Sequence, residues 1–308
     1  MSPVTTLIVV LGGASILFLG NGLFGTLVGV RASLEAFGES TTGVIMSAYF
    51  LGYVLGSFVF VAAIERVGHI RTLAGLSAVL AATATAHAIF LQPLAWAAFR
   101  MVTGLCIVGF FLVIESWLNS LAPENFRGRI FSIYMTVNLL AVAAGQYLLV
   151  AADPKGHVLF GVVTMLFALS LVPTSLTRIR APAPQQATGL DLRALYDASP
   201  AGVVGCVTCG LISGSFWGMG PVFASRMGFS DLGIAAFMSA IIIGGMAAQW
   251  PIGWVSDRID RRKAIAATAG AGAVAAALTA WVAEWSFPVL LAGAALFGAS
   301  LFPLYSLS

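Results

Sequence analysis

The chain has 308 residues, 59% of them hydrophobic and 9% charged, against about 25% charged in an average soluble domain. With a mean hydropathy of +0.98, a water-soluble globule is excluded. The 15 basic and 12 acidic side chains, net +3, fall almost entirely in short breaks between long apolar runs, so the charge reports membrane topology rather than nucleic-acid binding.

In chain order, those breaks predict spans at 4–28, 42–64, 72–91, 94–117, 130–150, 158–176, 201–225, 232–254, 264–283 and 286–308. Runs near the ~20 residues needed to cross a ~30 Å hydrocarbon core are helices, because lipid leaves no other way to satisfy the backbone. None alternates like a barrel strand. The first run is too long for a signal-peptide core and follows no basic n-region, which predicts a retained span.

With the N-terminus in the cytoplasm, the cytoplasmic breaks hold Arg66, Arg71, Arg127, Arg129, Arg178, Arg180, Arg193, Arg258, Arg261, Arg262 and Lys263. The outer breaks hold only Arg31, Lys155 and Arg226, so the positive-inside rule selects that orientation. The expected organisation is a six-span bundle over 1–177, a cytoplasmic linker over 178–200 rich in Pro and Gln, and spans seven to ten over 201–308. Within the linker, Leu190 to Asp197 has the pattern of a short surface-lying amphipathic helix.

Sliding the chain on itself by 192 residues brings Met46-Ser47-Ala48 onto Met238-Ser239-Ala240, Gly52 onto Gly244, Glu65 onto Asp257, Arg66 onto Arg258 and Arg71 onto Lys263. Apolar composition does not produce matched acid-arginine pairs at the same helix end. The second and eighth spans therefore correspond.

On these residues the chain resembles the major facilitator superfamily, whose loops after spans two and eight carry Gly-x-x-x-Asp-Arg-x-Gly-Arg-Arg. The second copy is Gly253 to Arg262, with Asp257, Arg258, Arg261 and Arg262 in place and Asp260 where a Gly is expected. The first keeps Arg66, Gly68 and Arg71, with Glu65 for the Asp and Val61 for the opening Gly. Span four adds Arg100, Thr103 and Gly104 in a pattern similar to the family's. Glu115-Ser116-Trp117-Leu118-Asn119, Arg127-Gly128-Arg129 and Gly145-Gln146 look like the YcaD-type branch of transporters. The resemblance implies an all-α polytopic fold of twelve spans. Ten are present here, with the C-terminal bundle incomplete, so a partial sequence or a truncated product is expected. Span five lacks the Gly-Pro pattern of drug-proton antiporters, which weakens a drug-efflux reading.

Charge inside a span is the most informative local signal, because Arg at a helix centre costs roughly 2.5–3.5 kcal/mol even on lenient scales. Arg100 either faces a cavity and meets an anionic group or carboxylate, or forms a structural pair or snorkels. Glu115, one turn from the cytoplasmic end of the same span, is expected to gate, pairing with Arg66, Arg71 or Arg129, or to sit solvated among headgroups. It is the one intramembrane carboxylate in the first half. The resemblance assigns conformational switching to the loops containing Glu65, Arg66, Gly68 and Arg71 and Gly253, Asp257, Arg258, Arg261 and Arg262, with Arg127 beside Arg129 at the same side. Asn21, Asn138, Gln146, Ser213 and Trp217 are candidates for lining a midplane cavity between the halves, with interhelical hydrogen bonding as the alternative for each. His87 and Gln249 are expected to serve packing or local hydrogen bonding.

Gly52-x-x-x-Gly56, Gly210-x-x-x-Gly214 and Gly214-x-x-x-Gly218 predict close helix approach. Pro221, Pro251 and Pro303 predict bends. Cys206-x-x-Cys209 has redox spacing but lies in an apolar helix, so inert packing is expected for both, as for Cys106. No Gly-x-x-x-x-Gly-Lys-[Ser/Thr] loop, Gly-x-Ser-x-Gly or His-Glu-x-x-His occurs, and His69, in a cytoplasmic loop, His87 and His157 are too dispersed to share a metal. The expected function is alternating-access transport of a small solute, coupled to a proton, an ion or nothing, in a bacterial inner membrane, with no cofactor and no metal. A non-transporting sensor or scaffold, or an inactive remnant, is the competing reading.

Overall fold

The computed structural model describes residues 3–123, 126–177, 193, 196–197, 199–256, 258–259, 261–282 and 286–307. Most of the expected linker, including its amphipathic stretch, lies outside them. The main helices are α1 (Pro3–Leu34), α2 (Glu39–Val67), α3 (His69–Ile89), α4 (Pro93–Leu121), α5 (Arg127–Gln146), α6 (Val158–Leu169), α7 (Pro200–Arg226), α8 (Asp231–Ser256), α9 (Arg261–Val282) and α10 (Phe287–Leu307). All ten segments are long and apolar enough to cross a membrane, counting the short continuations of α5 and α6.

Helix starts are written in local chemistry. Pro93 opens α4, and Pro200 opens α7 behind Ser199, whose hydroxyl accepts from Gly202 N at 3.2 Å. Ser230 caps α8 through Gly233 N at 3.2 Å. These residues satisfy or dispense with N–H groups that a helix start leaves unpaired. The α2–α3 connection is a single residue, Gly68, with φ +88 and ψ 160, a backbone region essentially reserved for glycine.

Several boundaries differ from the apolar runs. α1 continues through Arg31 to Leu34, and α4 continues past Trp117 to Leu121, because backbone bonding does not stop where apolarity does. The fifth span finishes as a 3₁₀ turn, Tyr147–Ala151. The sixth breaks after Leu169 and resumes as Val172–Ser175; Pro173 has no N–H to continue the ladder.

Residues 1–188 and 189–308 form two compact units. In the first, α2 packs along α4, α1 along α5 and α6, and α3 against α4 and α6. In the second, α10 packs along α8 and α9, while α7 makes fewer contacts with α8 and α10. The seams are backbone against backbone. A Cβ on Gly52 would collide with the Met101 carbonyl, and one on Gly104 with that of Tyr49; in the second unit Gly244 meets Ala295 and Gly298 meets Ile241 in the same way. Tyr49 and Ile241 are 192 residues apart, but Met101 and Ala295, like Gly104 and Gly298, are 194 apart. A gapless slide at 192 therefore misses the match between α4 and α10. Gly210 lies outside any such seam, since a Cβ there would meet nothing within 4 Å.

Candidate functional site

Arg100 sits seven residues inside α4, about 10 Å along the helix at 1.5 Å per residue, and is 4% exposed. Gly104, one turn on, lets α4 close onto the Tyr49 carbonyl, and that approach brings the Tyr49 ring under the guanidinium, 4.5 Å from Cζ to the ring centre. Phe24 of α1 lies 5.9 Å away on the same measure. The Arg100 Nε is buried without a hydrogen-bond partner, and no carboxylate among the described residues pairs with this cation. Aromatic faces partly offset the cost of burying the charge. They leave its hydrogen-bonding directions open.

Below Tyr49 on α2, Tyr53 lies 6.3 Å from it and 6.3 Å from Phe111 of α4, centre to centre. Further along α4, Glu115 is half-buried and makes no ion pair among the described residues. It lies six residues inside the end of α4, deeper than one turn, because the helix runs on to Leu121. Arg66, Arg71, Arg127 and Arg129 are all exposed, and the expected latch to Glu115 is not closed. Tyr134 and Asn138, one turn apart on α5, are both buried.

The remaining candidates divide. Gln146 is spent on the α1–α5 contact: its amide donates to Gly22 O at 3.2 Å and Val142 O at 3.3 Å, and its Oε1 accepts from the Thr26 hydroxyl. Asn21 is half-buried on α1. On α7, Ser213 is half-buried, and Trp217 packs on Phe216 at 4.7 Å and Phe302 at 6.3 Å. His87 is ringed by Phe24, Trp96, Phe99 and Phe160 and bonds Thr83 O at 2.8 Å.

At the helix ends, Glu65 is exposed, and Arg258 folds back over Trp254, 3.4 Å from its ring centre, while donating to the Trp254 carbonyl at 2.9 Å. That cation meets the carbonyl end of α8, where positive charge is favourable. Gly253 is open to a Cβ. Asp257 and the side chains of Arg261 and Arg262 lie outside the described residues.

Sequence reasoning misplaced two residues. His69 is no loop residue: it opens α3, is buried, bonds the Ser116 hydroxyl at 2.9 Å and packs on Trp117 at 5.7 Å. The Ser116-Trp117 dipeptide thus holds the α2–α3 turn. Arg31, counted only as a loop charge, is 4% exposed at the end of α1. It pairs with Glu35 at 2.6 Å and donates to the carbonyls of Pro154, at 3.1 Å, Lys155 and Gly156 in the α5–α6 connection. Its position beside Glu35 at i,i+4 was the available signal.

Among the described residues no three metal-ligating side chains group together. The YcaD MFS-type transporters of Escherichia coli O139:H28 and Shigella sonnei are 27% identical to this chain over 253 residues, covering 82% of it. The match spans 66% of their own length. Among solved structures, the nucleoside transporter NupG superposes with a TM-score of 0.79 at 14% identity, over 99% of this chain and 80% of its own. A D-xylose-proton symporter gives a TM-score of 0.72 at 13% identity, over 98% and 80%. The sequence pattern described as Major Facilitator Superfamily matches residues 10–308. The chain belongs to the Major Facilitator Superfamily.

Proposed function

We propose that this chain carries the transport path of a secondary transporter that moves a small solute bearing an anionic group by alternating access. The supporting observation is Arg100, a buried cation stacked on Tyr49 with an unfilled Nε and no carboxylate partner among the described residues. A guanidinium in that state is an anion receptor awaiting a planar, bidentate acceptor. Asn21 and Asn138 are the first unit's further candidates for contact with the solute in this reading, and Ser213 and Trp217 are candidates on the second unit. The loops holding Glu65, Arg66, Gly68 and Arg71 and Gly253, Asp257, Arg258, Arg261 and Arg262 switch between two packed arrangements, with Arg127 and Arg129 at the same membrane face. The excess of basic residues in alternate breaks supports a cytoplasmic N-terminus, and the bacterial relatives support an inner-membrane location.

The test is thermal unfolding of the purified protein against a panel of small carboxylates and phosphates, with neutral solutes as controls. An anion at 100 times its dissociation constant stabilises by about 2.7 kcal/mol. That gain disappears in Arg100→Ala, and the same anion, radiolabelled, enters or leaves proteoliposomes. Stabilisation by neutral solutes alone, or by an anion equally in Arg100→Ala, overturns the assignment. An anion that binds through Arg100 but is never carried across points instead to a sensor.

A further inference from the structure

Arg100, with its unfilled Nε, stands at one end of a column of rings between α1, α2 and α4. Tyr49 covers one face of the guanidinium, so a carboxylate reaches the fork edge-on, in the guanidinium plane. Toward the start of α4 the way beyond the fork is closed. Trp96, one turn before Arg100, is fully buried, as are Phe24 and the Phe160 ring that packs on both. In the other direction the rings are open: Tyr49, Tyr53 and Phe111 are each only half-buried.

Helix geometry aligns these groups. Tyr53 follows Tyr49 by one turn, about 6 Å along α2, and Phe111 follows Arg100 by three turns, about 16 Å along α4, on the same face. Gly104 holds the two helices together at this level, since a Cβ there would strike the Tyr49 carbonyl and lie 3.0 Å from the Tyr53 N. α1 supplies the back wall, with Phe24 5.9 Å from the Arg100 Cζ and Phe18, six residues earlier, 4.9 Å from Phe111. From Tyr49 to Tyr53 and from Tyr53 to Phe111 the centres are 6.3 Å apart, within the range at which aromatic rings attract one another edge to face or offset. A buried cation at the head of a partly open aromatic strip is the complement of a molecule with a carboxylate at one end and a ring at the other.

We propose that the solute of this transporter is an aromatic acid, whose carboxylate takes the Arg100 fork and whose ring lies against the open sides of Tyr53 and Phe111. The carboxylate accepts from the Nε and a neighbouring guanidinium N–H together. The ring extends toward Tyr53 because Trp96, Phe24 and Phe160 leave no room on the other side of the fork. A saturated acid of equal size removes as much apolar surface from water but lacks the ring quadrupole, which adds about 2- to 12-fold in affinity. This assignment names the solute of the transport reading and rests on it.

The experiment is titration calorimetry of the purified protein in detergent with phenylacetate, its saturated analogue cyclohexylacetate, and uncharged benzyl alcohol. Phenylacetate is expected to bind about 2- to 12-fold more tightly than cyclohexylacetate, and benzyl alcohol not to bind. Tyr53→Leu and Phe111→Leu each reduce that preference while both acids still bind, and Arg100→Ala loses both acids. Should one leucine variant not fold, as shown by loss of its thermal transition, the other decides. Equal affinity for the two acids in the wild type, binding of neither, or a preference that both leucine variants keep overturns the proposal. Equal affinity that is lost in Arg100→Ala removes the aromatic strip and leaves the anion reading intact. A phenylacetate preference that survives Arg100→Ala removes the anion reading, and this assignment with it.

Discussion

Replacing Arg31 by Ala removes one cation that joins the end of α1 to the α5–α6 connection. Of the three carbonyls it serves, only the bond to Pro154 is fully buried; those to Lys155 and Gly156 are partly open and can be rehydrated. The loss is therefore dominated by one dry, charge-assisted hydrogen bond of about 1.5–3 kcal/mol. The i,i+4 pair with Glu35 adds about 0.3–0.5 kcal/mol, and the cation in the last turn of a helix about 0.3–1 kcal/mol. Arg31→Ala is expected to destabilise the protein by about 2–4.5 kcal/mol in total. Reversible SDS unfolding followed by tryptophan fluorescence measures this directly. Arg31→Lys retains the charge but not the fork and should lose roughly half as much, while Arg129→Ala, at an exposed position, should stay within about 0.5 kcal/mol of wild type. A loss below about 0.5 kcal/mol in Arg31→Ala refutes the reasoning, because it means all three carbonyls are as well served by water.

Gly104→Ala and Gly298→Ala each place a methyl group against a carbonyl of the neighbouring helix and should cost about 1–3 kcal/mol. Gly253→Ala, with nothing within 4 Å, should be neutral, and thermal midpoints in one detergent check all three. Gln146→Leu strands the Thr26 hydroxyl and should cost about 0.6–1.7 kcal/mol, as interhelical hydrogen bonds in membranes do, while leaving stabilisation by organic anions unchanged. Loss of that anion effect would return Gln146 to the solute path.

The number of spans was legible because lipid permits one backbone solution and apolar length reveals it. Helix ends were not, because Arg31 and Asn119 continue their helices after the apolar signal stops. The break at Pro173 was legible in principle, since a proline two residues past Leu171 removes an N–H that span six needs. The repeat was visible at α2 and α8 and hidden at α4 and α10, where two extra residues shift Gly104 to Gly298. Arg100 stood out as a charge in an apolar run, but Tyr49 beneath it carried no sequence mark. Burial of His69 depended on the sharp turn at Gly68, which folds a nominal loop residue under Trp117.

The notched seams have a mechanical consequence. A carbonyl resting where a side chain is absent works as a rivet: sliding α2 along α4 by one turn would drive the Tyr49 carbonyl from Gly104 into the side chain of Arg100 or Val108, and sliding α8 along α10 would do the same at Ala294 or Phe302. Each pair is a strut of fixed length. Probes attached to α2 and α4 should hold one distance throughout any conformational cycle, supplying an internal ruler against which the displacement of every other helix can be read.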